Sequence, residues 1–187
     1  MLPQPGYETP LLIERVGWQR HWKELSVLLC TGRCGRCNVC GHQRESAQDS
    51  AVESKKYASN PDYRAVAIHV DVTNETSVQA MVETAIREFG RIDYNVNSAG
   101  IGTSTMNGIA EIPIDELDNI LNVHMKGTML CTRAVSKARL LQEPSEFQGR
   151  YSTRSLGRGS IVNLGSLNSY VVAPGKTSYT TLRLNMR

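Results

Sequence analysis

From about residue 46 onward, apolar and polar residues follow one another in blocks, and each block has the period of one kind of element. The segment 65–72, AVAIHVDV, is a short apolar run rich in valine and alanine, which predicts a buried strand. In the segment 74–90, apolar residues recur three and four positions apart. This segment ends in Gly90, so the pattern predicts a helix with a glycine stop.

The same alternation continues towards the end of the chain. The segment 91–100 predicts a strand that runs into a glycine turn, and 115–141 predicts a long helix. Residues 142–158 are mostly polar, which predicts a loop, and 159–166 predicts a further strand. Strands and helices that alternate at this spacing are typical of parallel βαβ units.

The expected fold class is therefore α/β, a Rossmann-like open parallel sheet that is incomplete in this chain. Residues 46–181 carry the pattern, and we expect one truncated domain over 1–187. Residues 1–45 do not follow the pattern and are expected to form an aberrant or poorly ordered segment. In open α/β sheets ligands bind beyond the carboxyl ends of the strands. The residues that follow each strand are thus the candidates for function.

Composition narrows the class of protein. The chain has 187 residues, of which 40% are hydrophobic and 21% charged, as in a soluble globular domain. The net charge is only +3, and Arg150, Arg154 and Arg158 are expected to lie on a solvated loop rather than to bind nucleic acid. The sequence contains neither a run of 18 apolar residues nor a secretory signal. We therefore expect a cytoplasmic protein that does not enter membranes.

The stretch CTGRCGRCNVCGH at 30–42 holds four of the five cysteines. Together with His42, they offer enough ligands for a tetrahedral zinc site. Structural zinc sites usually pair two ligand units across a longer loop, whereas these ligands are crowded together. The stretch also has no aromatic residue on which a base could stack. Zinc or nucleic-acid binding is therefore the weaker alternative, and no metal site is expected.

Four short motifs resemble those of the short-chain dehydrogenases/reductases and occur in the order found in that family. They are DVT at 71–73, NSAG at 97–100, GSIVNLGS at 159–166 and SYTT at 178–181. Ser166 stands thirteen positions before Tyr179, which is the family's usual interval between serine and tyrosine. The resemblance covers about residues 46–181.

The resemblance implies an oxidoreductase that moves a hydride between NAD or NADP and an alcohol/ketone pair. Tyr179 corresponds to the family's proton-exchanging tyrosine, and Ser166 to the serine that hydrogen-bonds the substrate oxygen. A phenol has a pKa of about 10, which the family lowers with a lysine four residues further on. That position is Arg183, and the position of the family's assisting asparagine is His124.

The resemblance also implies a cofactor site and partners. In the family, the aspartate at position 71 lies beside the adenine, and the asparagine at position 97 helps to hold the strand ends beneath the cofactor. The implied cofactor-binding residues are Asp71, Val72, Asn97, Ala99, Gly100 and Tyr179. The implied partner is a small-molecule alcohol or ketone. Family members usually form homo-oligomers through their long helices, but we expect this association to be impaired because the tyrosine-bearing helix is cut short.

Three departures from the family favour a second interpretation, a non-catalytic remnant that binds NAD(P) poorly. Arg183 keeps the positive charge of lysine but has a larger and differently shaped head. His124 is bulkier than asparagine and can carry a charge. The sequence ends at Arg187, so we expect the family's later strands and substrate-covering segment to be absent.

The family's glycine-rich loop, T-G-x-x-x-G-x-G, has no counterpart before residue 46. Reading the codons of about 18–44 one base later would convert both Trp18 and Trp22 to glycine and four cysteines to alanine or valine. The same shift permits an aspartate at position 41, which would favour NAD by bonding the ribose hydroxyls. We therefore hypothesise a shifted frame in this segment, which the transcript sequence tests.

Overall fold

The computed structural model describes residues 25–30, 35–58, 60–103, 108–170 and 179. The strands are β1 (Leu25–Cys30), β2 (Arg36–Gly41), β3 (Arg64–His69), β4 (Tyr94–Asn97), β5 (Ser145–Gln148), β6 (Thr153–Gly157) and β7 (Ser160–Asn163). The α-helices are α1 (Arg44–Ser54), α2 (Glu75–Phe89), α3 (Ile114–Leu121) and α4 (Thr128–Leu140). A π-helical segment, Asn122–Gly127, joins α3 to α4, and short 3-10 turns occupy Lys55–Tyr57, Ile109–Glu111 and Leu167–Ser169.

Five strands form the main sheet, in the order β3-β2-β1-β4-β7. The predicted α/β sheet is confirmed, and β2 pairs with β3, and β4 with β7, in parallel. The central strand β1 differs from the all-parallel prediction, because it runs antiparallel to both β2 and β4. A parallel pair needs a crossover of about a dozen residues or more, and the connection 31–35 is too short for one.

Both β1 and β2 lie within the segment 1–45, which the sequence pattern set apart. The structure incorporates residues 25–30 and 36–41 into the sheet, so these parts of the segment are ordered strands. The remainder of the segment up to residue 24, and residues 31–34, lie outside the described residues. Hydrophobic periodicity does not predict β2, because cysteine, asparagine and glycine occupy most of its buried positions.

The main core lies between one face of the sheet and the helices α2 and α4. Its fully buried members include Cys40 on β2, Met81 on α2 and Cys131 on α4. Burial raises the pKa of the Cys131 thiol to about 12, and burial together with the nearby Cys131 raises the pKa of Cys40 as well. Both thiols are therefore protonated and act as small apolar side chains.

Helix α2 begins and ends as the sequence predicts. The side chain of Asn74 accepts a hydrogen bond from the Ser77 N–H at 3.1 Å, which caps the first turn. At the other end Gly90 adopts φ 80° and its N–H donates to the Ile86 carbonyl. This left-handed conformation is readily open to glycine, so the residue ends the helix.

The predicted long helix at 115–141 is confirmed, but it is interrupted by the π-helical segment. Gly127 ends this segment and lies against Val72: a Cβ atom at position 127 would come within 2.8 Å of Val72 Cγ2. The helix therefore approaches the turn after β3 at a point where only glycine fits. π-Helical turns are rare and often occur at functional sites.

The prediction of a loop at 142–158 is wrong, because β5 and β6 pair there as an antiparallel hairpin. The turn closes through a hydrogen bond from the Gly149 N–H to the Ser152 carbonyl at 2.9 Å. Phe147 pairs with Arg154 across the hairpin, and the guanidinium carbon lies 5.4 Å from the ring centroid. Such cross-strand pairs stabilise hairpins whose strands are too polar to show clear alternation.

A buried arginine on α4 fixes the amino ends of β4 and β7. The guanidinium of Arg139 donates to the main-chain carbonyls of Ile92, Asp93 and Ser160. Burial lowers the pKa of Arg139, and the charge of Asp93 opposes this effect. The two strands are thus held in register at the edge of the sheet opposite to the candidate site.

Candidate functional site

The residues that follow β3, β4 and β7 lie along one edge of the sheet, the carboxyl edge. Strands β4 and β7 are parallel neighbours, with Asn97 paired to Asn163. Strands β2 and β1 separate β3 from β4. Neighbouring strands lie about 4.8 Å apart, so the ends of β3 and β4 are roughly 14 Å apart. A ligand that reaches both ends must be extended.

Asp71 lies just beyond β3 and is fixed as a carboxylate. Its Oδ1 atom accepts hydrogen bonds from the Thr73 hydroxyl at 2.7 Å and the Thr73 N–H at 2.9 Å. These two bonds lower the pKa of Asp71, and the charges of His42 and His69 lower it further. The Asp71 N–H donates to Ser77 Oγ at 2.9 Å, which ties the turn to helix α2.

Asn97 lies at the end of β4 and connects three elements through its buried carboxamide. Its Nδ2 donates to Asn163 Oδ1 at 2.8 Å on β7 and to Thr132 Oγ1 at 3.3 Å on α4. Its Oδ1 accepts from Asn95 Nδ2 at 3.2 Å. Asn97 therefore braces the edge of the sheet. Sequence reasoning did not identify Asn163 and Thr132 as its partners, although Asn163 lies within the motif 159–166.

The chain from Ala99 to Ile101 continues from β4 along the carboxyl edge. Ala99 packs against the main core, and Gly100 is exposed. The backbone of Ile101 contacts a side chain from the π-helical segment: His124 Nε2 lies 3.0 Å from the Ile101 nitrogen and 2.7 Å from its carbonyl oxygen. Ile101 acts through its main chain, so no side-chain signal in the sequence indicates this partnership.

The structure brings together His124 and Tyr179, two of the site residues that the family resemblance implies. His124 is almost completely buried, with 1% of its surface exposed. The two ring centroids are 5.4 Å apart and the ring planes meet at 76°, an edge-to-face contact. Tyr179 is half-buried and therefore still open to solvent or a ligand on one side.

Ser166 follows β7 at the same edge. Its hydroxyl accepts a hydrogen bond from the Asn168 N–H at 3.3 Å, and its carbonyl accepts one from the Ser169 N–H at 2.9 Å. These bonds fix the serine at the start of a 3-10 turn. Arg183, the residue at the family's lysine position, lies outside the described residues.

The central strand β1 ends at the other edge of the sheet, the amino edge. Because β1 is antiparallel, its last residue, Cys30, pairs with Tyr94 at the start of β4. Strand β1 therefore ends at the amino edge, where the carbonyl of Gly35 accepts a hydrogen bond from the Arg64 N–H. A phosphate-binding turn follows the first strand at the carboxyl edge in dinucleotide folds, whereas β1 ends at the opposite edge.

The zinc alternative also meets a geometric objection. Cys37 and Cys40 stand three positions apart on β2, so their side chains point to opposite faces of the sheet, and both are buried. They cannot bind one ion. Within the described ranges, no three His, Cys, Asp or Glu side chains are grouped as a metal site requires. In the same ranges, no helix is both long and apolar enough to cross a membrane.

Comparison with known proteins extends over most of the chain. Residues 36–186 match the family model described as Enoyl-(Acyl carrier protein) reductase. The chain is 40% identical over 139 residues to short-chain dehydrogenase anuF of Penicillium roqueforti, covering 74% of this chain and 50% of that protein. It is 32% identical over 144 residues to 2-(R)-hydroxypropyl-CoM dehydrogenase of Xanthobacter autotrophicus, covering 74% of this chain and 52% of that protein. The chain thus spans about half the length of these curated relatives.

Solved structures show the same fold. NAD+-bound xylitol dehydrogenase superimposes with a TM-score of 0.65 at 22% identity, covering 80% of this chain and 50% of that chain. A 3-oxoacyl-[acyl-carrier protein] reductase from Brucella melitensis superimposes with a TM-score of 0.64 at 23% identity, covering 80% of this chain and 55% of that chain. At these identities the likeness concerns the fold alone.

Proposed function

Because this chain belongs to the short-chain dehydrogenase/reductase family, we propose that it is an NAD(P)-dependent oxidoreductase that interconverts an alcohol and a ketone. The observation that carries the proposal is the contact between Tyr179 and His124 beside the turn that follows β4. It brings a phenol to the edge of the sheet where α/β folds bind their ligands.

The described residues suit the two ends of an extended dinucleotide. Asp71 offers a fixed carboxylate at one end of the edge, and the exposed Gly100 offers backbone without a side chain at the other. We assign Asp71 and Val72 to the adenine end. Asn97, Ala99, Gly100 and Tyr179 belong to the nicotinamide end, with Asn97 acting as a brace. The roughly 14 Å between the ends of β3 and β4 suits an extended ligand.

A nicotinamide held at this edge would supply the hydride chemistry of the proposed reaction. Tyr179 donates its phenolic proton to the carbonyl oxygen during reduction and takes a proton from the alcohol during oxidation. Ser166 donates a hydrogen bond to the same oxygen and orients it. Arg183 stands at the family's lysine position and keeps the positive charge of lysine, and His124 supports the phenol from the side.

A non-catalytic remnant is the second candidate, and one observation favours it. Strand β1 ends at the amino edge, whereas a dinucleotide fold binds the pyrophosphate after its first strand at the carboxyl edge. The described residues therefore fit the ends of the cofactor but not its middle. We therefore expect weak NAD(P) binding by this chain.

Oxidation of NADH and NADPH in the presence of a panel of ketones tests the proposal. Saturable oxidation that is lost in Tyr179→Phe and reduced in Ser166→Ala supports the dehydrogenase. Tyr151→Phe is the matched control, because Tyr151 is 90% exposed in the turn of the β5–β6 hairpin, away from the site. Equal rates in Tyr179→Phe and the wild type would contradict the role of Tyr179.

We also propose a reducing, cytoplasmic location and a small-molecule alcohol or ketone as partner. The location is supported by Cys37, Cys40 and Cys131, which are buried thiols without a disulfide. A fluorescent fusion of the chain, imaged in intact cells, tests the location.

A further inference from the structure

The β5–β6 hairpin carries a group of arginine and aromatic side chains that the proposed function does not use. Arg150 lies in its turn and Arg154 on β6, and both are exposed. The guanidinium carbon of Arg150 lies 5.8 Å from the ring centroid of Tyr151. That of Arg154 lies 5.4 Å from the ring centroid of Phe147 on the neighbouring strand. Each arginine therefore has a cation–π contact with an exposed aromatic ring.

Both guanidinium groups keep their hydrogen-bond donors available. In the part of the chain that the structure describes, the ion pairs involve other arginines, and neither Arg150 nor Arg154 has a carboxylate within reach. A guanidinium presents five N–H donors in a planar fork that matches the two oxygens of a carboxylate. A ring contact does not use those donors. The two arginines thus present the donor geometry that a carboxylate requires.

The hairpin is anchored at its base and forms a sheet separate from the main one. Arg91 Nη2 donates to Ser145 Oγ at 2.6 Å, and Arg158 Nε donates to the Gln142 carbonyl at 2.8 Å. Every residue of β6 is exposed. A two-stranded hairpin by itself is only marginally stable in water, so a partner that covers one of its faces would stabilise it.

We propose that this hairpin docks an acidic protein segment in which aspartate or glutamate residues flank an apolar residue. Arg150 and Arg154 pair with carboxylates of the segment, and Phe147 and Tyr151 contact its apolar side chain. Arginine and aromatic residues are the types that contribute most to protein–protein interfaces. The hairpin leads into the amino end of β7, so its occupant leaves the candidate site at the carboxyl edge open.

The charge of the hairpin favours carboxylates over a nucleic acid or an anionic membrane. Residues 143–158 contain three arginines and two glutamates, a net charge of +1. Glu146 is next to Phe147 on β5, so it points to the opposite face from Phe147 and its cross-strand partner Arg154. Nucleic acids and anionic membranes bind runs of lysine and arginine, because affinity rises with the number of phosphates that are neutralised. A short acidic segment needs only the two guanidinium groups.

Binding of a synthetic peptide to the full chain tests the proposal. The probe is the peptide EEFEELEE with a fluorescent label, and anisotropy measures its Kd at low salt, where exposed charge pairs are least screened. The double replacement Arg150→Gln with Arg154→Gln should raise the Kd about tenfold, as expected for the loss of two exposed charge pairs. The matched control is Arg87→Gln with Arg133→Gln, which removes the same charge from two exposed arginines elsewhere. It should bind the peptide as the wild type does.

Hydrogen exchange locates the bound peptide. Addition of EEFEELEE should slow amide exchange in β5 and β6 of the wild type and leave it unchanged in the Arg150→Gln, Arg154→Gln variant. Such protection, together with weaker binding of the neutral peptide QQFQQLQQ, supports the docking surface, even if no ketone is reduced.

Four results would overturn the proposal. They are no detectable binding of EEFEELEE, equal binding of QQFQQLQQ, an unchanged Kd in the Arg150→Gln, Arg154→Gln variant, and tighter binding of a single-stranded oligothymidylate or of phosphatidylserine vesicles than of the acidic peptide. None of these measurements involves the nicotinamide or Tyr179. Failure of the docking surface and failure of the proposed function are therefore seen separately.

Discussion

The imidazole of His124 lies edge-on against the phenol of Tyr179, with ring centroids 5.4 Å apart, although the two residues are far apart in the sequence. The π-helical segment carries His124 into the interior beside the end of β4. This contact joins the helix between β4 and β7 to the tyrosine that follows β7. The site therefore depends on how closely that helix approaches the sheet.

Replacement of Gly127 by alanine should destabilise the fold, because Gly127 lies in close contact with Val72 in the turn after β3. The new Cβ atom would lie 2.8 Å from Val72 Cγ2, and Val72 is buried and cannot easily yield. Overpacking of this kind costs about 1–3 kcal/mol of unfolding free energy, measurable by urea denaturation. Gly108→Ala is the control, since nothing lies within 4 Å of its added Cβ atom. Equal effects of the two replacements would argue against the close contact.

Two buried asparagines in the sheet should respond in opposite directions to replacement by leucine. The Oδ1 atom of Asn38 is buried and has no hydrogen-bond partner among the described residues, whereas Asn97 bonds to Asn163, Thr132 and Asn95. Asn38→Leu should raise the free energy of unfolding by about 1 kcal/mol, and Asn97→Leu should lower it by about 2 kcal/mol. Chemical denaturation of both variants checks the contrast, which fails if Asn38→Leu is the more damaging change.

Asp71 should make stability depend on pH in the acidic range. The pKa of Asp71 is lower in the folded protein than in the unfolded chain. Its carboxylate therefore adds to the free energy of unfolding at pH values above the unfolded pKa of about 3.9. The contribution is lost as pH falls through the folded pKa. The stability difference between the wild type and Asp71→Asn should therefore shrink below about pH 4. The exposed Asp62→Asn serves as control, and a difference that grows on acidification would contradict the assignment.

Arg139 should contribute much more to stability than the exposed Arg133 on the same helix. Arg139→Met removes a charged donor that three main-chain carbonyls share. The carbonyls of Ile92 and Asp93 keep bonds from Gln142 Nε2 and the Ser160 N–H, so the loss should be about 1.5–3 kcal/mol. Arg133→Met breaks only a solvent-exposed pair with Glu75 and should cost less than about 1 kcal/mol. Thermal and urea unfolding of the two variants measure the contrast. Similar losses would show that the Arg139 cluster does not fix β4 and β7.

The half of the fold from β3 to β4, together with β7, follows from local sequence pattern. Helix α2 has a regular apolar stripe, an asparagine cap and a glycine stop, so its existence and both its ends could be predicted. The strands β3 and β7 are short apolar runs followed by motif residues. In these parts local propensity and tertiary packing favour the same structure.

Other parts depend on contacts that a sequence pattern does not encode. Strand β2 has polar and cysteine residues in buried positions, and only its pairing with β1 and β3 makes it a strand. The β5–β6 hairpin lies in a polar stretch and is fixed by its turn and by cross-strand contacts. The π-helical segment and the Ile101 contact arise from packing around Gly127 and His124. The motifs could therefore indicate the site residues but not the backbone partner.

Transfer of deuterium from NADPH or NADH labelled at the nicotinamide C4 position to a ketone tests the central claim most directly. The assay should be run at cofactor concentrations where binding is independently detected, because weak affinity is expected, and mass spectrometry of the alcohol detects even slow turnover. A dehydrogenase acting through Tyr179 predicts deuterium at the alcohol carbon with the wild type and Tyr151→Phe, and none with Tyr179→Phe. Absence of label with the wild type when cofactor is bound would contradict the claim and support the non-catalytic remnant.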